Sequence, residues 1–280
     1  MTTNNHQPQT CVCCGGAEHH GHLAGLLRCA ACGHIWADMR LSEAELKELY
    51  ARDYFEGGEY VDYQLEQPAL RRNFRRNLAA LRKRHPEGGH LWEVGAAYGF
   101  FLREANAFFD AAGCDISEHA ARCARNETGV SVTAGDYLDI PLETPPDVIC
   151  LWDTVEHLAE PHRYLEKAAA DLRPGGTLAL TTGDIGSWIA RRRGLRWRLL
   201  HPPTHLHYFT TGSMRTLLER LGFEDIRIAH HAFWRSADTV AAKLLSPESG
   251  LYRGLRKTGL LRFPFPVNTF DLMTVYAARR

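Results

Sequence analysis

Acidic residues follow four successive apolar runs of the sequence. Glu93 ends "LWE", Asp115 ends "GCD", Asp136 lies in "AGDYLD" and Asp153 follows "ICLW". In an open parallel sheet, ligands bind beyond the carboxyl ends of the strands. Carboxylates gathered at that edge repel a pyrophosphate and suit a small ligand that carries positive charge. These four positions are therefore candidates for binding such a ligand.

A turn rich in small residues follows Glu93 directly, with Gly95, Ala96, Ala97 and Gly99 in order. The G-x-x-x-G spacing departs from the G-x-G-x-x-G of a dinucleotide-binding loop. One interpretation is an ordinary turn between a strand and a helix. The other is a close-fitting cradle for a cationic cofactor, in which Glu93 orients the turn and complements the charge.

Five of the eight cysteines lie before residue 33 and include two Cys-x-x-Cys-Gly pairs. The pairs are Cys11/Cys14 and Cys29/Cys32, and such pairs at this spacing are typical of a four-thiolate zinc site. Cys13 and three nearby histidines, at 19, 20 and 22, are further donors, and the alternative is a tail with free thiols. A structural zinc ion is the prediction, because no open coordination position is implied.

Histidines supply candidates for proton transfer. His157 follows Glu156 in "LWDTVEHL", and "HPPTHLHYF" adds His205 among other histidines. A neutral imidazole titrates near working pH and can act as a general base. His157 and His205 are therefore the predicted catalytic residues, although a packing or capping role is an equal alternative for His157.

The segment "ARRRGLRWRLL" carries five arginines after the fifth predicted strand. Arginine side chains at such a site would bind a diphosphate, as in a nucleotide-linked sugar. A solvated basic face is the favoured interpretation, since a run of charge is usually just that.

From residue 90 onwards, short apolar runs alternate with helical stretches, which is typical of a mostly parallel sheet covered on both faces. Helices are predicted to begin near Phe100, Ser117 and Pro161, with a Pro-rich connection at 140–146. Strands are predicted near 91–95, 111–116, 130–134, 147–152, 177–182, 224–230 and 272–278.

Two helices are predicted before the sheet. Ser42 and Glu45 form a capping box for the first. The second covers 67–84, with Pro68 in its first turn. Its predicted buried face consists of Leu70, Phe74, Leu78 and Leu81.

Composition is that of an ordinary globular protein, with 45% hydrophobic and 24% charged residues and no net formal charge. The neutral balance argues against nucleic acid as a partner. No apolar run reaches the roughly 18 residues of a membrane span, and "MTTNNHQPQT" has no signal pattern. A cytoplasmic location is expected.

Five motifs, in order, resemble those of class I S-adenosylmethionine-dependent methyltransferases: E-V-G-A-A-Y-G, G-C-D-I, G-D-Y, D-V-I-C-L-W-D-T-V-E-H-L and L-R-P-G-G. The resemblance covers residues from about 40 to 280. It implies a Rossmann-like α/β fold with a seven-stranded sheet, whose last strand, in "DLMTVYAARR", is antiparallel. The usual middle glycine of the first motif is Ala97 in this chain.

The resemblance also implies roles for individual residues. The methionine part of the cofactor would lie near Glu93, Gly95, Ala96 and Gly99, and the ribose would bind Asp115. Three residues, Ile116, Asp136 and Tyr137, would flank the adenine, and Trp152 would line the mouth of the cleft. The D-x-x-E-H element is similar to that of ubiquinone-pathway O-methyltransferases, which implies magnesium as a candidate ion.

The predicted organisation is a zinc ribbon at 1–38, a helical cap at 39–88 and the methyltransferase domain at 89–280. A ribbon joined to such a domain is similar to bacterial methyltransferases of sugar, glycan and secondary-metabolite pathways. The predicted function is methyl transfer to a small-molecule or nucleotide-sugar acceptor. The alternatives are a degenerate cofactor-binding module that docks a protein partner, or an RNA methyltransferase.

Overall fold

The structure is a computed structural model that describes residues 10–23, 25–39, 63–238, 241, 245–246, 248–259, 261 and 263–280. Its centre is a seven-stranded sheet. The strands are β4 (His90–Val94), β5 (Asp110–Asp115), β6 (Ser131–Ala134), β7 (Val148–Trp152), β8 (Thr177–Gly183), β10 (Phe223–Ala229) and β13 (Leu272–Arg279).

The order of strands in this sheet is β10-β13-β8-β7-β4-β5-β6. β4 pairs in parallel with both β5 and β7. The chain adds β5 and β6 on one side of β4 and then adds β7 and β8 on the other side, so the order of strands reverses between β4 and β7. β13 runs antiparallel to β8 and β10. The predicted seven-stranded α/β fold with an antiparallel last strand is confirmed, and ligands in such sheets bind where the order reverses.

Helices cover the sheet. The described helices are α1 (Tyr63–Arg84), α2 (Phe100–Ala105), α3 (Glu118–Cys123), α4 (Pro161–Asp171), α5 (Trp188–Arg193), α6 (Thr211–Arg220) and α7 (Gly250–Lys257). The predicted starts of α2, α3 and α4 are confirmed: Ser117 caps α3 by accepting a hydrogen bond from the Ala120 amide. Pro161 opens α4, where its missing N–H costs nothing.

α1 begins earlier than its sequence pattern indicates. Pro68 lies inside the helix rather than in its first turn, so that prediction is wrong by about one turn. The predicted apolar face does turn inwards: Leu78 and Leu81 are buried, and the Phe74 ring meets Phe101 of α2 at 5.7 Å. The Ser42/Glu45 capping box lies outside the described residues.

A second, smaller sheet has the order β1-β2-β3-β9. β1 (His19–His22), β2 (Leu26–Cys29) and β3 (Ile35–Ala37) form the ribbon, and β9 (His207–Tyr208) comes from the segment after β8. β9 pairs antiparallel with β3. The ribbon sheet is thus completed by a strand from the far half of the chain, which the ribbon sequence does not indicate.

The region between β10 and β13 contains elements that the sequence patterns did not predict. A hairpin-like pair, β11 (Phe233–Ser236) and β12 (Pro264–Val267), packs against α1. In the described part of the chain, no helix combines the length and apolar character that a bilayer crossing needs.

Candidate functional site

A cleft opens where β4, β7 and β8 end, with α1 and Phe233 forming its opposite wall. Four residues predicted to bind the cofactor line it: Glu93, Gly95, Ala96 and Trp152. The remaining predicted cofactor residues do not line this cleft. They lie at the ends of the neighbouring strands β5 and β6 and in the turn before α2.

Glu93 is the buried acid of the cleft, with only 3% of its surface exposed. Its Oε2 atom has no hydrogen-bond partner. Burial raises the pKa of Glu93 well above its ordinary value, and the neighbouring Asp115 adds to the effect. An unpartnered buried carboxyl is costly, and a cationic ligand in the cleft would compensate it.

The turn after Glu93 brings its backbone close to other elements. Gly95 has a φ of +77°, and a Cβ there would lie 2.6 Å from Oγ1 of Thr154, so only glycine fits. Ala97 has a φ of +46°, a left-handed conformation that L-residues adopt at a cost. The Ala97 amide donates to Oδ2 of Asp115 at 2.8 Å, and this bond supports the strained residue.

Asp115 ends β5 and is 6% exposed. Its other oxygen accepts from the Ser117 amide at 2.9 Å. Burial raises the pKa of Asp115, and the two amide hydrogen bonds oppose the increase. Each carboxylate oxygen retains a second lone pair, so Asp115 can still accept hydrogen bonds from a diol.

The residues expected beside an adenine differ in exposure. Ile116 is 43% exposed, which is unusual for a large apolar side chain. Asp136 accepts from the Leu138 amide and from the Tyr164 hydroxyl. Tyr137 is buried, and its hydroxyl donates to Asp171 of α4 at 2.6 Å, so its polar group is used within the protein.

Asp153 follows Trp152 and lines the cleft in an unusual backbone conformation, with a φ of +49°. Its carboxylate accepts from Oγ1 of Thr181 at 2.8 Å, and its amide donates to the same oxygen at 2.9 Å. The residue is nevertheless exposed at the cleft. Partial desolvation by the protein atoms around it raises the pKa of Asp153, while the Thr181 hydrogen bond lowers it. Strained residues of this kind concentrate at functional sites.

The predicted catalytic histidines do not line this cleft. His157 and His205 form a cluster with Glu156, in which one ligand-type atom of each residue lies within 4.8 Å of the others. Burial lowers the pKa of His157 to about 4 and that of His205 to about 2. Burial raises the pKa of Glu156 to about 8, and Asp153 adds to this effect.

Several cleft residues escaped the sequence analysis. Asn73 and Asn77 of α1 are buried and line the cleft four positions apart, within a helix whose exposed side is rich in arginine. Asn73 binds the backbone of Trp234 on β11 with both atoms of its amide. The pattern that could have indicated them is a pair of asparagines on the apolar side of an otherwise basic helix. No pattern around Phe233 or Thr181 indicated that these residues line the cleft.

The four paired cysteines come together in the ribbon, with their sulfur atoms within 4.8 Å of one another. Sγ of Cys11 lies 3.5 Å from Sγ of Cys32, and Sγ of Cys14 lies 3.6 Å from Sγ of Cys29. Zn–S bonds of about 2.3 Å in a tetrahedron place sulfurs about 3.8 Å apart. The donor set and its spacing therefore fit a zinc ion.

The fifth thiol of the ribbon supports this set. Cys13 is fully buried and lies beside Cys11 and Cys32. Hydrogen bonding with Cys13 lowers the pKa of Cys11 to about 6 and that of Cys32 to about 4. Burial instead raises the pKa of Cys14 and of Cys29. The lowered pKa values of Cys11 and Cys32 favour the thiolate form, which binds metal ions.

The ribbon is held to the rest of the protein by contacts with α6 and β9. Arg220 of α6 donates to the backbone carbonyls of Val12 and Cys13, at 2.6 and 2.9 Å. His34, fully buried, lies with Nε2 3.0 Å from Nδ1 of His207. Because Nε2 of His207 faces the Ala159 carbonyl, that nitrogen carries the proton and Nδ1 accepts from His34.

The arginine-rich insertion emerges at the same edge of the sheet as the cleft, because α5 follows the end of β8. Arg191, Arg192, Arg193 and Arg196 are exposed. Arg198 instead pairs with buried Asp271 at 2.9 Å, so it has a structural partner.

Comparisons with solved structures show the fold. A Thermotoga maritima protein described as a SAM-dependent methyltransferase and possible histamine N-methyltransferase is 17% identical, with a TM-score of 0.56, over 84% of this chain and 98% of that one. The magnesium protoporphyrin IX methyltransferase of Synechocystis, solved with bound SAH, is 14% identical, with a TM-score of 0.55, over 85% of this chain and 100% of that one.

The YcgJ protein of Bacillus subtilis is 13% identical, with a TM-score of 0.55, over 74% of this chain and 99% of that one. A search of curated proteins finds no match. The family model described as "Methyltransferase domain" matches residues 65–228, more than half of the chain. The chain therefore belongs to the methyltransferase domain family.

Proposed function

We propose that this protein transfers a methyl group from S-adenosylmethionine to a small-molecule acceptor. The observation that carries the proposal is the buried carboxyl of Glu93 beside the glycine turn, whose Oε2 atom has no hydrogen-bond partner. That position needs a cation, and the ammonium and sulfonium groups of the cofactor supply positive charge. A related fold, the Synechocystis enzyme, was solved with bound SAH, which supports the choice of cofactor.

Residues of the cleft, together with residues at the neighbouring strand ends, would hold the cofactor in order along the sheet edge. Glu93, Gly95, Ala96 and Gly99 would surround the methionine part, with Trp152 beside it. Asp115 would accept hydrogen bonds from the ribose hydroxyls. Ile116, Asp136 and Tyr137 would form the adenine end, with the exposed side chain of Ile116 offering an apolar surface to the ring.

The cofactor supplies an electrophilic methyl group, and the protein must align the acceptor and remove its proton. Asp153 is the ionisable residue besides Glu93 that lines the described cleft. Its carboxylate is fixed by Thr181 and has a raised pKa, both of which suit a proton acceptor. We therefore assign the proton-accepting role to Asp153, which lines the cleft together with the rings of Phe74, Phe101 and Phe233.

His157 and His205, predicted from sequence, are the second candidates for this role. Their position behind the cleft lining is less favourable than that of Asp153. A magnesium ion does not fit their cluster, because two of its three donors are imidazoles and Mg²⁺ prefers oxygen ligands. No step of the proposed transfer depends on magnesium.

The acceptor is proposed to be a sugar or glycan precursor or a secondary metabolite. The arginine-rich insertion at the cleft edge would suit the diphosphate of a nucleotide-linked sugar. Two structural neighbours are described as a possible histamine N-methyltransferase and as a magnesium protoporphyrin IX methyltransferase, and these small-molecule acceptors favour this class over RNA. We further propose a cytoplasmic location, where the ribbon cysteines, none of which forms a disulfide, stay reduced.

Calorimetric titration of the purified protein with S-adenosylmethionine tests the proposal. Wild-type protein should bind one cofactor, and Asp115→Ala should abolish the binding. Glu118→Gln, which changes an exposed acid of α3, is the matched control and should leave the affinity unchanged. Wild-type protein without affinity for the cofactor would overturn the proposal.

A second measurement separates the enzyme from a degenerate binding module. Demethylated cofactor should form when the protein is incubated with candidate nucleotide sugars, and Asp153→Asn should slow its formation at least about 100-fold, as expected for a lost general base. The variant should keep its affinity for the cofactor. Binding without turnover on any acceptor would favour the module that docks a partner protein.

A further inference from the structure

One wall of the cleft is built from α1 and β11, which are joined by several contacts. The guanidinium group of Arg72 lies 4.4 Å from the centre of the Trp234 ring, and that of Arg76 lies 5.2 Å from the centre of the Phe233 ring. Arg76 also donates to the Ala232 carbonyl. Phe233 lines the cleft. The wall therefore presents its side chains to a ligand in fixed positions.

The amide of Asn77 keeps a donor available at the cleft. Nε and Nη2 of Arg76 lie 3.4 and 3.2 Å from Oδ1 of Asn77. A guanidinium group only donates, so Oδ1 is the atom that faces Arg76, and Nδ2 is directed away from it. Within the residues that the structure describes, this Nδ2 has no hydrogen-bond partner and is not sealed from solvent. An acceptor atom of a ligand would satisfy it.

Arg235 extends from the same wall. It follows Phe233 by two positions on β11, so both side chains project from one face of the strand. Arg235 is half-buried, and no hydrogen bond or ion pair holds its guanidinium group in the described part of the chain. A half-buried guanidinium without an acceptor is costly, and an anion would complete it.

Arginines near Asp153 leave this side of the cleft with an excess of positive charge. Partial desolvation raises the pKa of Asp153 and a hydrogen bond lowers it, and three arginines lower it further through their charge: Arg235, Arg198 and Arg76. Arg198 is balanced by Asp271 at 2.9 Å. Arg76 binds only uncharged groups. When Asp153 is ionised, Arg76 and Arg235 therefore supply one positive charge more than it balances.

We propose that Asn77 and Arg235 bind a carboxylate of the methyl acceptor beside Asp153. A guanidinium fork and an amide N–H are donors that suit a carboxylate. One excess positive charge matches a carboxylate better than a phosphate monoester, which carries a charge of about −1.5 to −2 at pH 7. Only the identification of this ligand as the acceptor rests on the proposed function.

The cleft then favours opposite charges at two places. Glu93, whose Oε2 has no hydrogen-bond partner, favours the cationic cofactor. Asn77 and Arg235 favour the anionic group of the acceptor. A carboxylate bound there would bring the neighbouring atoms of the acceptor towards Asp153, so these two residues determine which acceptors are positioned for transfer.

Titration of the cofactor-free protein with three ring compounds, followed by protein NMR, tests the proposal. The probes are benzoate, benzamide and phenyl phosphate, whose rings suit the apolar side chains of Phe74 and Phe233. Benzoate should bind at least about 10-fold more tightly than uncharged benzamide, the gain expected from a charged hydrogen bond. It should also bind more tightly than phenyl phosphate. Equal affinities for benzoate and benzamide, or tighter binding of phenyl phosphate, would overturn the proposal.

Two variants locate the site. Arg235→Gln should reduce the affinity for benzoate to that for benzamide, and benzamide binding should persist. Asn77→Asp keeps an acceptor for Arg76 but replaces the available donor with an oxygen, so benzoate should bind at least about 10-fold more weakly. Arg227→Gln changes an exposed arginine that pairs with Asp225, and this control should leave all affinities unchanged. Equal loss of benzoate and benzamide in Arg235→Gln would show that Arg235 only shapes the cleft, and would contradict the assignment.

Repeating the titrations with demethylated cofactor separates this site from the proposed function. Benzoate and the cofactor should bind together. If each excludes the other, benzoate occupies the cofactor site and the carboxylate site is refuted. Protein that binds benzoate as expected but has no affinity for S-adenosylmethionine would support the carboxylate site and overturn the proposed function.

Discussion

The ribbon and the cleft bind their proposed ligands in opposite ways. The ribbon donors are two local Cys-x-x-Cys pairs, whose sulfurs meet across 21 positions of sequence for Cys11 and Cys32 and across 15 positions for Cys14 and Cys29. The cleft acids, Glu93 and Asp153, belong to the ends of different strands and meet only because the sheet aligns the carboxyl ends of β4 and β7. Local spacing builds the first site, whereas topology builds the second.

The two sites also differ in how their donor groups are held together without a ligand. The ribbon gathers thiols that need a metal ion to stay together, so its ligand contributes to folding. The cleft gathers carboxyls that a stable sheet already holds in place, at a cost in desolvation. Replacing a ribbon cysteine should therefore lower the stability of the protein, whereas replacing a buried cleft carboxyl should remove a desolvation cost.

The largest effect is expected from Cys29→Ser. This variant should lose the ribbon zinc and should be destabilised by several kcal/mol, because metal binding and folding are coupled in such sites. Metal content and thermal unfolding measure the change. Cys13→Ala is the matched control: it should retain the zinc and lose about 1 kcal/mol through the small cavity. Loss of zinc in the control instead would make Cys13 a ligand.

Glu93→Gln should act with opposite signs on affinity and stability. Cofactor affinity should fall about 10- to 100-fold, since a charge-assisted contact is lost. In the wild type the pKa of Glu93 is raised in the folded state, so stability falls as the pH rises above the ordinary glutamate pKa of about 4.3. The variant lacks this penalty, and its melting temperature at pH 8 should equal or exceed that of the wild type.

The same pKa makes cofactor binding depend on pH. The raised pKa favours the protonated form of Glu93 in the free protein, whereas a bound cation favours the ionised carboxylate, so binding should be accompanied by proton release and affinity should increase with pH. Calorimetry in buffers of different ionisation enthalpy measures the proton release. Proton release that persists in Glu93→Gln would contradict this assignment.

Arg220→Lys tests the connection between the two regions. The change removes the forked guanidinium group that donates to two adjacent ribbon carbonyls. The free energy of unfolding should fall by about 1 kcal/mol, and zinc and cofactor binding should be unchanged. Arg227→Lys, whose partner Asp225 is exposed, should have no measurable effect. Equal melting temperatures for the two variants would show that the fork contributes nothing.

The smallest effect is expected from Ala97→Gly. Ala97 has a φ of +46°, and glycine relieves the strain at the expense of a more flexible unfolded chain, for a net gain of about 0.5 kcal/mol. Gly99→Ala is the contrasting variant. Its new Cβ would lie 2.5 Å from Val130, so clear destabilisation is expected in urea unfolding. A destabilised Ala97→Gly would show that the alanine methyl group contributes to packing.

The central sheet could be predicted from the sequence because each buried strand is a short apolar run with its own start and stop signals. β7, for example, was predicted over 147–152 and is found at Val148–Trp152. The Cys-x-x-Cys pairs were equally readable, since both partners of each pair are local. The start of α1 was missed because Pro68 was interpreted as a first-turn residue, whereas the helix begins at Tyr63 and tolerates the proline inside it.

Contacts between distant residues could not be predicted. β9 pairs with β3 of the ribbon, and the segment before β9 passes the turn after β7. His205 therefore lies beside Glu156 and His157. No periodicity in "HPPTHLHYF" indicates that partner. Asp153 was recognised as an acid at a strand end, but its left-handed backbone depends on Thr181, which lies in another strand.

The borrowed strand of the ribbon has a consequence for synthesis. β1, β2 and β3 emerge from the ribosome long before His207 and Tyr208, which complete their sheet. During that interval the outer edge of β3 is unpaired, and an unpaired strand edge favours association with other chains. A nascent chain interrupted before residue 207 should thus be more prone to aggregation than one released just after it.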